Sequence, residues 1–410
     1  MGSLKKNIIY SSILTTANYI FPLLTYPYVS RVLGVANIGV CNFVDSLINY
    51  YVIFSMLGIA TVGIREISQS KGCRAQLDKT FSRLFTINTI TTSIVLAVLI
   101  GSIYLVPKLY ENRELMWIGA LKLVSTYLLI DWLYKGLEEF KYITDRTILV
   151  KCLYVASVFL FIKSPEDTKT YFFLLTMMIT ANAAVNLIHS RKYVTFRFCT
   201  DGLAPVFKAV GILGIYGILT SLYTTFNTVF LGFACGDVEV GYYATSHKIF
   251  KIILALFTAV TGVMMPRLAS LLGEGRHSEF RALLKKSFSL LMMVFIPIAA
   301  GICLFAPLVI RIIAGPEFEG AILPLRIISP LIVIIGIEQI IIIQGLMPLK
   351  KDKAILINSI AGAVTGISLN LLLVPKLGAT GASIAWFASE CVVLTSAAIF
   401  FRKAMKEIKP

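Results

Sequence analysis

Twelve long apolar stretches recur along the chain, near residues 8–31, 38–63, 84–106, 115–134, 147–162, 170–189, 208–232, 241–266, 287–310, 321–347, 354–375 and 378–401. Each is long enough, or nearly so, to cross ~30 Å of hydrocarbon as a helix rising ~1.5 Å per residue. The short polar connections between them alternate in charge. One set holds Lys5 and Lys6; Arg65, Lys71, Arg74, Lys79 and Arg83; Lys135, Lys141 and Arg146; and Arg191, Lys192, Arg197 and Lys208. It continues with Arg267, Arg276, Arg281, Lys285 and Lys286; Lys350, Lys351 and Lys353; and Arg402, Lys403, Lys406 and Lys409. The opposite set has only Arg31, Lys108, Arg113, Lys163, Lys169, Arg311 and Lys376. The positive-inside rule therefore predicts an all-α, multi-pass protein of twelve transmembrane helices with both termini cytoplasmic. Lys122, Lys151, Lys248, Lys251 and Arg326 remain, and they fall inside the stretches.

The pattern repeats with a period near half the chain. Gly39 opens the second stretch and Arg65 closes it; Gly241 and Arg267 do the same for the eighth, at the same separation. Val32-Leu33-Gly34 has a counterpart in Phe230-Leu231-Gly232, and Lys135-Gly136-Leu137 one in Gln344-Gly345-Leu346. Six spans per half bring the repeat back to the starting side. The halves are thus parallel repeats: an N-terminal six-helix lobe over 1–205 and a C-terminal one over 206–410. The boundary falls at the Pro/Gly-containing polar stretch Asp201–Pro205. Pro22 and Pro27 break the first span, and Thr220, Ser221, Thr224, Thr225, Asn227 and Thr228 crowd the seventh. These equivalent spans suit the walls of a wet cavity better than a lipid face.

Composition narrows the function. A chain that is 57% hydrophobic and 15% charged is outside the soluble range, and its net charge of +16 is topogenic. No soluble domain offers a basic face, so nucleic acid is excluded as a partner and membrane lipids are the expected surroundings. The first stretch is too long for a removable signal peptide and lacks a small-residue cleavage site. Seven scattered cysteines without a C-x-x-C pair read as apolar packing, and three histidines far apart in sequence give no metal site. With no extramembrane segment longer than roughly twenty residues, no catalytic domain fits outside the membrane, and an enzyme such as a polymerase is disfavoured.

Several blocks resemble the Wzx-type polysaccharide and O-antigen flippases. They are Pro22–Gly34 (PLLTYPYVSRVLG), Gly58–Ile67 (GIATVGIREI), Asn227–Gly232 with Gly241-Tyr242-Tyr243 and Lys248-Ile249, Ile322–Pro330 (ILPLRIISP), Gln344-Gly345, and Asn370–Pro375 (NLLLVP). The resemblance spans nearly the whole chain. It implies the fold of the multidrug/oligosaccharidyl-lipid/polysaccharide exporter superfamily, with two six-helix lobes forming a V around a central cavity. It also implies outward flipping of an undecaprenyl-diphosphate-linked oligosaccharide, an O-antigen or capsular repeat unit, across a bacterial inner membrane. A polysaccharide polymerase and ligase would be its partners. Some relatives carry two further C-terminal helices that this chain lacks.

The charges inside the spans acquire meaning from that cargo. An ionised side chain at mid-membrane costs about 2.5–3.5 kcal/mol even on the lenient insertion scale. Lys248 and Lys251 share a helix face, and counting from Gly241 at ~1.5 Å per residue puts Lys251 near the midplane. Two ammonium groups there suit a diphosphate; the competing role is pairing with buried carboxylates. Arg31, Arg326 and Asn227, within the matching blocks, are further candidate substrate contacts, interface anchoring being the alternative for the arginines. Asp45, Asp131, Glu338 and Glu390 also lie in spans. Asp45 is a candidate gate paired with Lys248, Asp131 a helix-surface partner of Lys135, and Glu338 or Glu390 a site for a coupling proton or sodium ion. No cofactor is called for, and the membrane potential alone can drive an anion outward. A cation-coupled multidrug exporter of the same superfamily is the alternative reading.

Overall fold

The computed structural model describes the backbone of residues 2–199, 202–349 and 351–407. Side chains are described over the same ranges except at 2–5, 8, 212, 213, 215–217, 219–224, 256–263, 265, 266, 269, 352 and 407. Asp201, Lys350 and Lys409, and the side chains of Lys5, Thr220, Ser221, Thr224 and Pro266, lie outside the described residues. The described residues form helices joined by turns and short irregular connections, and each of the twelve apolar stretches falls mainly on helix. The first two share α1 (Gly2–Met56), with α2 (Ile59–Ser70) completing the second. Then come α3 (Arg74–Leu105), the short α4 (Pro107–Glu111), α5 (Arg113–Leu128), α6 (Asp131–Gly136), α7 (Phe140–Phe161) and α8 (Thr168–Ser190). The second half consists of α9 (Leu203–Thr224), α10 (Phe226–Cys235), α11 (Asp237–Gly273), α12 (His277–Leu304), α13 (Ala306–Ile313), α14 (Ile322–Ile328), α15 (Leu331–Gln339) and α16 (Asp352–Glu407).

Among the described residues six helical segments are long and apolar enough to cross a membrane, and a seventh is a pair bent by 44° between Ile328 and Leu331. Two of the six, Ile9–Met56 and Lys353–Lys406, run for 48 and 54 residues. At ~1.5 Å per residue each is long enough for two crossings of ~30 Å. Both are broken by a glycine in a conformation that side chains resist: Gly34 (φ 78°, ψ 171°) and Gly378 (φ 54°, ψ −132°). The chain is a multi-pass membrane protein.

The repeat is visible in the backbone, in a corrected register. Continuing the Gly39/Gly241 alignment places Gly34 opposite Gly236, and Gly236 has nearly the same torsions, φ 89° and ψ −177°. Gly232, the expected counterpart, lies buried within α10. Local sequence similarity around Leu33 and Leu231 had pointed to the wrong glycine, because the break is set by backbone geometry and not by the flanking leucine. Likewise α4 follows α3, as α13 follows α12, each with a proline in its first turn where no N–H is needed.

Two compact units divide the chain at Ser221/Leu222, within α9, further along than the polar stretch at 201–205. The first half of α9 belongs with the N-terminal unit. Gly58 N–H donates to Val210 O at 3.2 Å, and Val210 is buried in a core with Ile59, Val62, Phe81, Trp132 and Tyr134. Close helix approach needs small residues here: Gly63 lies under Trp132, and Gly136 under Ile67. The cysteines are free; Cys41 is buried as expected, but Cys73 and Cys152 are exposed.

Candidate functional site

In the N-terminal lobe the charges inside the spans are largely neutralised by each other. Lys122 on α5 donates to Asp45 on α1 at 2.5 Å and to Asn49 Oδ1 at 3.0 Å, and Asn49 Nδ2 donates to the other Asp45 oxygen. Helix periodicity explains the pair, since Asp45 and Asn49 stand one turn apart on one face of α1. In this structure, then, the partner of Asp45 is Lys122 of its own lobe, where the sequence suggested Lys248. Arg146 corrects a second expectation. Assigned to a cytoplasmic connection, it is instead buried, its guanidinium 3.3 Å from Asp131, which also accepts from Asn186 at 2.9 Å. Asp131 follows Ile130, whose φ of 40° breaks the helix. Asp131 thus opens α6, and its carboxylate meets Arg146 of α7 and Asn186 of α8 although Lys135 stands one turn on in the same helix.

The C-terminal lobe is arranged differently. Along α11, Tyr243 and His247 stack with ring centroids 5.7 Å apart, and His247 meets the edge of Trp386 on α16 at 4.9 Å. Trp386 Nε1 donates to Glu390 Oε1 at 2.8 Å, and Glu390 lies within hydrogen-bonding reach of Glu338 on α15. Both carboxyl groups are buried, Glu338 Oε1 has no hydrogen-bond partner, and no cation lies within 4 Å of either among the described residues. Glu338 stands one residue before α15 gives way to a π-helical stretch, Ile340–Leu346, whose Gln344 is buried with neither amide atom partnered among the described residues. Such π-turns occur frequently at functional sites, and their irregular ladder costs stability that a plain span would not need.

The remaining candidates separate by exposure. Lys248 is half-buried; Lys251, one turn further along the same face of α11, is exposed near the middle of its span. Arg31 is exposed and donates to Pro27 O at 3.1 Å; Arg326 is exposed and donates to Cys303 O at 3.3 Å. Asn227 is not presented to a ligand. It is buried, its Nδ2 donating to Tyr243 OH at 2.9 Å and its Oδ1 accepting from Asn370 at 2.8 Å. The proposed contact is displaced because both amide atoms are already engaged within the lobe. Lys151 on α7 donates to Asn18 Oδ1 at 2.5 Å and sits over the Phe21 ring. Sequence reasoning singled out Glu338 and Glu390 without joining them. The matching blocks contain Tyr243 and Asn370 without giving either a role, and Trp386 lies outside them, although its i, i+4 spacing to Glu390 within an apolar span is a signal that finds it.

Residues 4–272 match the family described as polysaccharide biosynthesis protein, and residues 213–372 match a second family, MatE. A relative from Escherichia coli strain K12 named "Putative O-antigen transporter" is 25% identical over 98% of this chain and 97% of its own length. Among solved structures, the lipid II flippase MurJ in an inward closed conformation superposes with a TM-score of 0.79 at 15% identity, covering 98% of this chain and 90% of that one. An inward-facing multidrug resistance MATE family transporter of the MOP superfamily gives 0.74 at 15% identity, over 97% and 98%. At such identities the two structures bear on the fold alone.

Proposed function

The chain belongs to the polysaccharide biosynthesis protein family, and from that premise we propose that it is a flippase for an undecaprenyl-diphosphate-linked oligosaccharide. It moves the repeat unit of an O-antigen or capsule from the cytoplasmic to the outer leaflet of a bacterial inner membrane by alternating access, with both termini cytoplasmic and no bond made or broken. A polymerase and a ligase consume the product on the outer side. The observation that carries this reading is Lys251: a lysine near mid-span, exposed as a residue and with no acidic side chain within 4 Å among the described residues. Such a charge is expensive in hydrocarbon unless water or an anion meets it. A diphosphate is such an anion, and Lys248 one turn away supplies a second donor. Arg31 and Arg326 then serve the head group on release.

Two driving forces are open to this arrangement. Two negative charges moving outward down an inside-negative potential gain roughly 4–5 kcal/mol at 100 mV. The Glu338/Glu390 pair adds a place for a coupling proton, since two facing carboxyls without a cation are stable only with a proton between them. Proteoliposomes carrying a fluorescent lipid-linked oligosaccharide, with an imposed potential, provide the test. Wild type should expose the sugar to an impermeant reagent, whereas Lys251→Ala should insert normally and fail to do so. Full flipping by Lys251→Ala would remove the assignment. A second reading, a cation-coupled multidrug exporter, draws support from the MatE match and the acid pair. Efflux of a cationic dye that is abolished by Glu390→Gln, without movement of the glycolipid, would favour it.

A further inference from the structure

A groove of about 450 Å³ runs along the first half of α1, lined by Ile9, Ser12, Ile13, Thr16, Ile20 and Phe21 among others and closed on one side by Ile148 of α7. Its volume falls within the range of small-molecule sites, ~300–1,000 Å³. The lining follows helix periodicity, with isoleucines as its large side chains and Ser12, Thr16 and Ala17 as its small ones. Alternation of large and small residues makes notches that fit a branched apolar chain. From Ile9 to Phe21 the groove is roughly 18 Å long at ~1.5 Å per residue, enough for a few isoprene units.

What distinguishes this groove from an ordinary lipid face is the cation at its end. Lys151 stands one turn beyond Ile148 and is 8% exposed. Its ammonium group bonds to the neutral Asn18 amide oxygen at 2.5 Å and lies 5.7 Å from the centre of the Phe21 ring, which itself lines the groove. Unlike Lys122 and Arg146, it has no carboxylate within 4 Å among the described residues. The two helices run in the same direction and in register: Thr144 donates to Tyr10 O at 3.0 Å, and Tyr28 OH to Ile162 O at 2.6 Å. Lys151 is therefore held about two turns further into the span than the Tyr10 level.

We propose that this groove binds the isoprene units nearest the diphosphate of a polyprenyl-diphosphate-linked cargo, with Lys151 holding the diphosphate on arrival, as a step before it is taken by Lys248 and Lys251. The proposal rests on the flippase reading and adds to it a site for the lipid part of the cargo, within one lobe. On arrival the phosphate oxygens replace Asn18 as partner of the ammonium group, exchanging a neutral acceptor for a charged one. The tail, which must turn as the head group leaves the inner surface, takes the notched face of α1.

Farnesyl diphosphate carrying a diazirine on its terminal isoprene is the probe, with the matching farnesol diazirine as control, applied to full-length protein in nanodiscs. The diphosphate probe should label α1 between Ile9 and Phe21, and Thr16→Trp, which fills the groove from an exposed position, should abolish that labelling. Lys151→Gln should cut labelling about tenfold, the loss of one charge-assisted bond, while Lys151→Arg retains most of it. Size-exclusion profiles confirm that the variants are folded, and Thr16→Trp tests the groove should Lys151→Gln not fold. Equal labelling by the two probes, or displacement by excess phosphatidylglycerol, identifies an ordinary membrane-lipid site and overturns the proposal. The flipping assay separates the two claims. If wild type flips glycolipid and Thr16→Trp flips equally well, the groove is wrong and the function stands. If no glycolipid moves but labelling is as expected, the groove stands and the flippase reading falls.

Discussion

In the N-terminal lobe Lys122 meets Asp45 at 2.5 Å and Arg146 meets Asp131 at 3.3 Å, each pair reinforced by an asparagine. In the C-terminal lobe Glu338 and Glu390 face each other, and Lys251 stands exposed on α11. Both lobes derive from one repeating plan, with Gly34 and Gly236 in nearly the same backbone conformation. Their difference is thus one of charge chemistry and not of architecture. Where opposite charges are matched within a lobe, they are satisfied and hold helices together. Where like groups are left side by side, as Glu338 with Glu390, no opposite charge among the described residues satisfies them, and their cost is carried by the surrounding packing.

The largest effect should come from breaking a matched pair whose cation is buried. Asp131→Asn strands the Arg146 guanidinium, only 5% exposed, in a low-dielectric site. The expected loss is about 3–5 kcal/mol, read as a collapse of thermal stability in detergent. Asp131→Asn with Arg146→Met should recover a large part of it. A double variant as unstable as the single would mean that the pair is not what holds α6 and α7 together. Asp45→Asn should be milder, about 1.5–2 kcal/mol, because Asp45 is 37% exposed and Asn49 still bonds Lys122. An Asp45→Asn protein matching wild type in a melting curve would show that this pair contributes nothing.

Smaller again is the cost of disturbing what the lobes share. Gly236 is followed by ψ −177° at φ 89°, a region closed to other residues, and nothing stands within 4 Å of where a Cβ would be. Gly236→Ala should therefore cost about 1 kcal/mol through backbone strain alone. Gly236→Asn should be no better than alanine, since asparagine tolerates the left-handed helical region and not this one. Rescue by asparagine would show that the turn relaxes.

Much of this was legible in the sequence for a simple reason. Hydrocarbon penalises isolated polar groups so heavily that each ion inside an apolar stretch stands out, and the helices follow from the need to satisfy every backbone group. Partners were not legible. Lys135 lies four positions on in the same short helix α6, but Asp131 bonds Arg146, fifteen positions away on α7, a contact that only the packing of α6 against α7 creates. Asn227 read as a ligand for cargo and proved to be an internal strut, which depends on the rotation of α10 against α11 and α16. Glu338 and Glu390 were visible singly, but only packing brings them together.

The sharpest test of the contrast is the variant expected to do least to stability. If Glu338 and Glu390 share a proton, Glu338→Gln replaces a neutral carboxyl by an amide of similar shape that still donates to Glu390. No charge is stranded, so thermal stability should change by less than about 1 kcal/mol, against the large loss at Asp131. Transport should divide into two parts. Flipping driven by an inside-negative potential should persist, because Lys251 is untouched, whereas any added rate from an imposed proton gradient should vanish. Trp386→Phe should keep the gradient response but weaken it, since Glu390 loses its indole donor while the acid pair remains. If Glu338→Gln instead destabilised the protein as much as Asp131→Asn, Glu338 would have to be the charged half of a pair with a cation, and the two lobes would handle charge alike.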